Sequence, residues 1–171
     1  SQQGFANIMH HEHAGTCYAH AAATVVRAAE RRIVGRKLEE HFVMVQRLVD
    51  KYGTKGHNVK PILEEECSPR KLQCSQVDTT GAAQAVDLGR AILLSFELTD
   101  AQWTEFSAFF KRAPSATLDS DSFSDSLGGK FRGHAVVIVG QDDKSWKIKN
   151  SWGDAFADRG YFQMSKSLVL D

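Results

Sequence analysis

Three residues of this chain have the types, and the order along the chain, that catalysis by a thiol requires. Cys17 follows a Gly-Thr pair, His134 opens an apolar run, and Asn150 begins an Asn-Ser-Trp-Gly segment. A cysteine is nucleophilic as its thiolate, which a nearby imidazolium or a helix N-terminus favours by lowering the thiol pKa from about 8.5 toward 3.5–7.5. An amide that orients the imidazole completes such a site. The spacing therefore predicts a nucleophile, a base and a residue that holds the base in place.

The residues after Cys17 predict a helix that begins at the nucleophile. Apolar and small residues recur at helical spacing from Cys17 to Ile33, with three consecutive alanines that allow close packing. Unpaired N–H groups and the macrodipole at a helix start favour negative charge. We therefore expect Cys17 at the N-terminus of a central helix, where its thiolate is stabilised.

Periodicity, capping residues and glycines predict the other elements. Thr99 with Gln102 forms a capping-box pattern, and Asn58 is suited to cap a short helix. The expected elements are helices over 38–52, 58–66, 80–88 and 99–110, a buried strand over 91–96, a mobile or substrate-facing loop over 113–130, and an antiparallel sheet over 134–164.

The chain resembles the papain-like cysteine proteases in two segments. Ala14-Gly15-Thr16-Cys17-Tyr18 agrees with that family's Cys-Gly-[Ser/Ala]-Cys-[Trp/Tyr] pattern at its second, fourth and fifth positions. Gly133-His134-Ala135, Asn150-Ser151-Trp152-Gly153 and Arg159-Gly160-Tyr161-Phe162 then follow the family's order of strand, turn and strand. The resemblance implies one α+β domain over 1–171, with a helical lobe over about 15–90 and an antiparallel sheet lobe over about 91–171.

The resemblance also implies an activity and a role for each residue of the site. The expected reaction is hydrolysis of a peptide or protein substrate through a thioester at Cys17. His134 would pair with the thiolate and protonate the leaving amine, Asn150 would orient His134, and Trp152 would shield their hydrogen bond. The pocket for the residue two before the scissile bond would be lined by Ser95 and Gly133.

The chain departs from the family at the oxyanion hole. The family's glutamine donor, six residues before the nucleophile, is replaced by His11, which donates one N–H when neutral and two when protonated. The family's Gly-Gly segment has only loose counterparts, Gly53 and Gly56. Two alternatives therefore stay open: a catalytically impaired module that binds a peptide or partner protein, and a deamidase or transamidase that uses the same three residues.

Composition limits the other function classes. Lys plus Arg and Asp plus Glu number 21 each, so charge predicts neither nucleic acid nor an anionic membrane as a partner. No apolar run approaches the about 18–20 residues that span a bilayer, so we expect a soluble chain. The chain could also be one domain of a larger protein. Its compartment is not determined.

Two cysteine and histidine clusters have a second interpretation. His10, His11 and His13 with Cys17 could ligate a metal, but they lack the spacing that is typical of zinc sites, so no metal or other cofactor is predicted. Cys67 and Cys74 are close enough in sequence to form a disulfide, but the sequence is equally consistent with two free thiols.

Overall fold

The computed structural model describes residues 15–123 and 129–168, and its helices precede most of its strands along the chain. The helices begin close to where caps and periodicity predict them. Within these residues the helices are α1 (Cys17–Arg31), α2 (His41–Tyr52), α3 (Val59–Cys67), α4 (Thr79–Asp87) and α5 (Asp100–Arg112). The strands are β1 (Ile92–Thr99), β2 (Thr117–Leu118), β3 (Phe131–Gln141), β4 (Ser145–Lys149) and β5 (Tyr161–Ser165), with a 3-10 turn at Ser120–Ser122.

Local capping fixes two of the helix starts as predicted. The side chain of Asn58 accepts a hydrogen bond from the backbone N–H of Lys60 at 3.1 Å. Thr99 and Gln102 form the complete capping box, with bonds of 3.2 and 3.0 Å. Helix α2 begins three residues later than expected because its capping residue, Glu40, is extended (φ −62°, ψ 141°).

Helices α1, α2 and α3 enclose a core of their own. Helix α1 has the helical periodicity that the sequence predicts, and its buried face packs against both other helices. The side chains at the centre of this core are almost completely buried: Tyr18, Ala22, Val26, Met44, Val45, Leu48 and Ile62.

A cluster of ion pairs packs beside the helical core. Glu30 and Glu66 are buried, with 5 % and 4 % of their surfaces exposed. Arg70 lies 2.7 Å from a carboxylate oxygen of each, and Arg47 lies 2.8 Å from Glu66. The two arginines therefore compensate carboxylates that burial would otherwise make costly.

The strands form one sheet in the order β1-β3-β4-β5-β2. Neighbouring strands are antiparallel except for β2, which runs parallel to β5 and pairs Thr117 with Gln163. The predicted antiparallel sheet over 134–164 is confirmed, and β2 adds a parallel pair at its edge that the sequence did not predict. The predicted loop over 113–130 also contains β2 and the 3-10 turn, while its residues 124–128 lie outside the described part of the chain.

Helices α4 and α5 pack on the sheet and complete a second core. Phe106 and Phe110 of α5 are almost fully buried against Phe162, and Ala82 of α4 belongs to the same cluster. Helix α4 thus packs on the sheet although it precedes residue 90. The boundary between two lobes near that residue remains a prediction.

The first turns of α1 pack against strand β3. Cys17 and Ala21 form a small buried cluster with Ala135 and Val137. The alanines allow the helix to approach the strand closely, as their run in the sequence suggested. This contact brings the start of α1 to the end of β3 at which His134 lies.

Candidate active site

Cys17 is the first residue of α1 and lines a cleft between the helices and the sheet. Its surface is 8 % exposed. The cleft has a volume of about 160 Å³, and its wall includes Gly133, His134 and Trp152. The fold therefore brings the predicted nucleophile and base to one opening, although 116 other residues separate them in the sequence.

Gly15 fixes the approach of the chain to Cys17. Its φ of +96° is in the left-handed region, and a Cβ at this position would lie 2.4 Å from the backbone nitrogen of Gly56. That nitrogen donates a hydrogen bond of 3.0 Å to the carbonyl of Gly15. Both the dihedral angle and the close approach require glycine here.

The segment that carries Gly56 is also held from the other side. The Tyr18 hydroxyl, one residue after the nucleophile, donates a hydrogen bond to the carbonyl of Gly53. Gly53 and Gly56, the loose counterparts of the family's Gly-Gly segment, therefore lie beside the start of α1. Sequence alone could not place them there.

His134 and Asn150 form the hydrogen bond expected between a base and its orienting amide. Nε2 of His134 donates to Oδ1 of Asn150 at 2.8 Å, and both side chains are buried. The backbone N–H of Ser151 donates to the same oxygen at 2.9 Å. Because a backbone N–H can only donate, this second bond identifies the amide oxygen and leaves Nδ1 as the second ring nitrogen of His134.

Three aromatic rings surround the imidazole of His134. The centroid of the Trp152 ring lies 5.1 Å from it, that of Trp103 lies 5.4 Å away edge-on, and that of Phe96 lies 5.8 Å away edge-on. Apolar surroundings lower the local dielectric and strengthen a satisfied hydrogen bond. Trp152 lies against the imidazole, and its shielding of the hydrogen bond to Asn150 stays a prediction.

Trp103 is a residue of the cleft that the sequence analysis missed. It lies on α5, and its Nε1 donates a hydrogen bond of 3.1 Å to the carbonyl of Arg132 on β3. The capping box at Thr99 predicted the helix. The large indole of Trp103 on its first turn was the signal in the sequence that could have pointed to a contact with the site. That signal did not show which way the helix would face.

An ion pair forms part of the same cleft wall. Nε of Arg132 lies 2.7 Å from Oδ1 of Asp100, and both side chains are about half exposed or more. Exposed pairs contribute about 0–1 kcal/mol to stability. Their position places a positive and a negative group in the wall of the cleft.

The remaining predicted site residues do not all lie in the Cys17 cleft. Gly133 lies in the cleft wall. Ser95 is exposed on β1, where it pairs with Ala135, and it is not in the described wall of this cleft. His11, with His10 and His13, lies outside the described residues, so the oxyanion and metal interpretations of that segment stay predictions.

The other cysteines differ from each other in environment. Cys67 and Cys74 are thiols rather than a disulfide. Burial, and then the nearby Cys74, raise the pKa of Cys67 to about 11, whereas Cys74 is exposed. In residues 15–123 and 129–168, no group of three or more His, Cys, Asp or Glu side chains is arranged to hold a metal. No helix in those ranges is long and apolar enough to span a membrane.

Sequence comparison finds similarity to the papain family, the family that the chain resembles in its motifs. A model of the papain family of cysteine proteases matches residues 107–169. An uncharacterised peptidase C1-like protein of Acanthamoeba polyphaga mimivirus is 31 % identical over 96 residues, which are 55 % of this chain and 30 % of that protein. The match thus spans less than a third of the viral relative.

Comparison of structures finds the same fold in plant enzymes. The bromelain protease of Ananas comosus superposes with a TM-score of 0.57 at 20 % identity, covering 92 % of this chain and 82 % of that one. A cysteine protease of Carica candamarcensis gives a TM-score of 0.57 at 17 % identity, with coverages of 90 % and 80 %. The resemblance to papain-like cysteine proteases is confirmed, and the α+β fold is the papain-like one.

Proposed function

Because the chain has the papain-like fold and resembles papain-family cysteine proteases in sequence, we propose that it is a thiol-dependent peptidase with Cys17 as nucleophile. One observation carries the proposal. Cys17 and His134 line a single cleft, and Nε2 of His134 donates a hydrogen bond of 2.8 Å to Oδ1 of Asn150. The substrate would be a peptide or a protein segment.

The first half of the reaction transfers the acyl group to sulfur. The Cys17 thiolate attacks the scissile carbonyl carbon, a C–S bond forms, and the carbonyl oxygen gains negative charge. The C–N bond then breaks as the imidazolium of His134 gives its proton to the leaving amine. Since Nε2 is bound to Asn150, Nδ1 is the nitrogen that exchanges this proton.

The second half releases the acid and restores the enzyme. Nδ1 of His134 removes a proton from water, whose oxygen attacks the thioester carbon. The C–S bond breaks, sulfur leaves as thiolate, and a carboxylic acid is released. Asn150 keeps the imidazole plane fixed through both halves, while Trp152 covers the hydrogen bond between them.

The oxyanion requires hydrogen-bond donors near the start of α1. The backbone N–H of Cys17, at the positive end of the helix macrodipole, is one proposed donor. The second is the imidazole of His11, in place of the family's glutamine. Loss of one such donor costs about 10²–10³ in turnover, so the identity of this second group sets the level of activity.

Substrate binding is proposed along the cleft walls. Gly133 leaves room for a substrate backbone beside the catalytic strand, and Gly56 offers an open backbone near Cys17, since nothing lies within 4 Å of its Cβ position. Arg132 and Asp100 present opposite charges to flanking side chains. Ser95 remains a proposed lining residue of the pocket for the residue two before the scissile bond.

Digestion of a peptide library, followed by mass spectrometry, tests this function. The parent chain and a Cys74→Ala control should produce the same cleaved peptides, because Cys74 is an exposed thiol on the helical side. Cys17→Ala should produce none. Conversion of glutamine to glutamate without cleavage would instead identify a deamidase, and intact peptides from a chain with a reactive Cys17 would identify a binding module.

A further inference from the structure

A second and larger cavity lies between α1 and the sheet, and its lining differs from that of the Cys17 cleft. Its volume is about 400 Å³, and within the described residues it shares no wall residue with that cleft. Small-molecule sites in proteins are typically about 300–1,000 Å³. The cavity is therefore large enough for a small ligand.

The charged residues of this wall are mostly cationic. Arg27, Lys149 and Arg159 face a single acid, Asp154. None of the three cations makes an ion pair within residues 15–123 and 129–168. Arg27 is anchored through Nε, which donates to the carbonyl of Glu39 at 2.9 Å, so its terminal nitrogens remain available. The wall thus carries an excess of positive charge.

Two buried side chains in the same wall have polar atoms without partners. His20 is 3 % exposed and Asn150 is 5 % exposed. In the described part of the chain, Nε2 of His20 and Nδ2 of Asn150 have no hydrogen-bond partner. Unpaired buried donors are unfavourable and rare in folded proteins. An acceptor held in the cavity would satisfy the amide N–H of Asn150 and an imidazole N–H.

The lowered pKa values of the two histidines in the wall agree with the positive charge of the side chains around them. The pKa of His41 is lowered to about 4, first by burial and then by the charges of Lys149, Arg27 and Arg31. The pKa of His20 is lowered to about 4, again mainly by burial, with smaller effects of His41 and Lys149. Both imidazoles are therefore neutral near pH 7 and can donate one N–H each.

We propose that this cavity is a binding site for an oxyanion, the phosphate or carboxylate group of a small ligand, held by Arg27 and Lys149 with donors from His20 and Asn150. Guanidinium and ammonium groups form charge-assisted hydrogen bonds with either kind of anion. Asn150 lies in the wall of this cavity, its Nδ2 has no partner within the described residues, and its Oδ1 accepts the hydrogen bond from His134. A bound anion would therefore contact the residue that orients His134.

Thermal unfolding of the chain tests the site without any measurement of catalysis. Sodium phosphate and sodium succinate are titrated at neutral pH and constant ionic strength, with sodium chloride as the reference. A ligand that binds the folded state raises the unfolding temperature in a saturable way. A rise with phosphate alone or with succinate alone identifies the group that is bound, and no saturable rise with either overturns the proposal.

Substitutions locate the effect. Lys149→Gln, an exposed position that should fold normally, and Arg27→Gln should each weaken the apparent affinity at least about tenfold. Lys144→Gln removes an equally exposed lysine from the neighbouring turn and should leave affinity unchanged. In nitrogen-edited NMR spectra, the side-chain amide signal of Asn150, assigned by its loss in Asn150→Asp, should shift on titration. Equal affinity in all three charge variants would overturn the proposal.

Discussion

Oδ1 of Asn150 accepts a hydrogen bond of 2.8 Å from Nε2 of His134, sixteen residues earlier in the chain. Lys149, next to Asn150, pairs with Val137 on the neighbouring strand, so the sheet register sets this contact. The same oxygen accepts the N–H of Ser151, and Trp152 covers the imidazole. The orientation of the proposed base therefore rests on strand pairing and on one turn.

Asn150→Ala should lower kcat, by less than the about 10⁴-fold that follows replacement of the charged orienting residue in a Ser-His-Asp triad, because the imidazole loses a neutral hydrogen-bond partner. KM should change little, because Asn150 is not in the wall of the Cys17 cleft. Steady-state kinetics on a cleaved peptide measure both quantities. Asn58→Ala is the control: it removes a helix cap, which costs about 1 kcal/mol of stability, and should leave kcat unchanged. Parent-like kcat in Asn150→Ala would show that the hydrogen bond has no catalytic role.

The three thiols should react with iodoacetamide in a fixed order. Cys17 should be modified first and at the lowest pH, because a helix start and an imidazole favour its thiolate. Cys74, which is exposed, should follow, and Cys67 should be slowest since its pKa is raised to about 11. Peptide mass mapping across pH measures the order. Similar rates at Cys17 and Cys74 near pH 6 would contradict the pairing of Cys17 with His134.

Gly15→Ala should lower the free energy of unfolding by more than the cost of a left-handed backbone angle for alanine. The added Cβ would lie 2.4 Å from the backbone of Gly56. Gly35→Ala is a matched control, since Gly35 has a φ of +79° but nothing within 4 Å of its Cβ position. The control should lose about 1–2 kcal/mol. Urea unfolding measures both variants, and equal losses would show that the contact with Gly56 is unimportant.

Arg70→Met should cost about 3–5 kcal/mol of unfolding free energy at pH 7, because it leaves the buried carboxylate of Glu30 without its cation and that of Glu66 with Arg47 alone. Glu30 and Glu66 each lie 2.7 Å from Arg70. Arg132→Met breaks an exposed pair instead and should cost about 0–1 kcal/mol. Similar losses in the two variants would argue against a structural role for the buried cluster.

The difference between the parent and Arg70→Met should also shrink in acid. The hydrogen bond from Arg47, with the charges of both arginines, lowers the folded-state pKa of Glu66 from its ordinary value of 4.5. A lowered pKa means that the cluster stabilises the fold above about pH 4.5 and loses this effect as the pH falls through the folded-state pKa. Urea unfolding at pH 7 and at pH 3–4 measures the change.

His11→Gln should keep or raise turnover at neutral pH. In the parent, an imidazolium stabilises an oxyanion better than a neutral imidazole, so activity should fall as the pH rises through the ordinary histidine pKa of about 6.5. Glutamine does not titrate, so the variant should lack this fall. His11→Ala should lose about 10²–10³ in turnover. Unchanged pH profiles and rates in both variants would place His11 outside the oxyanion hole.

The sequence by itself determined the features that depend on local interactions. The cap at Asn58 and the capping box at Thr99 lie where their residues predict them, because each involves groups only two or three positions apart. The start of α1 at Cys17 agrees with the run of helix-forming residues that follows it. The alternation of strands after residue 131 follows from apolar patterning over short stretches. The order of Cys17, His134 and Asn150 predicts the chemistry that we propose for this chain.

Tertiary structure alone decided what surrounds those residues. Trp103 meets His134 because α5 packs on the sheet against β1, the strand beside β3. Gly15 must be glycine because the chain near Gly56 returns to it. The parallel pairing of Thr117 with Gln163 and the joint position of Arg27 and Lys149 join segments far apart in the sequence. Local patterns carry no information on such contacts, since these arise only when separate elements bury their surfaces against each other.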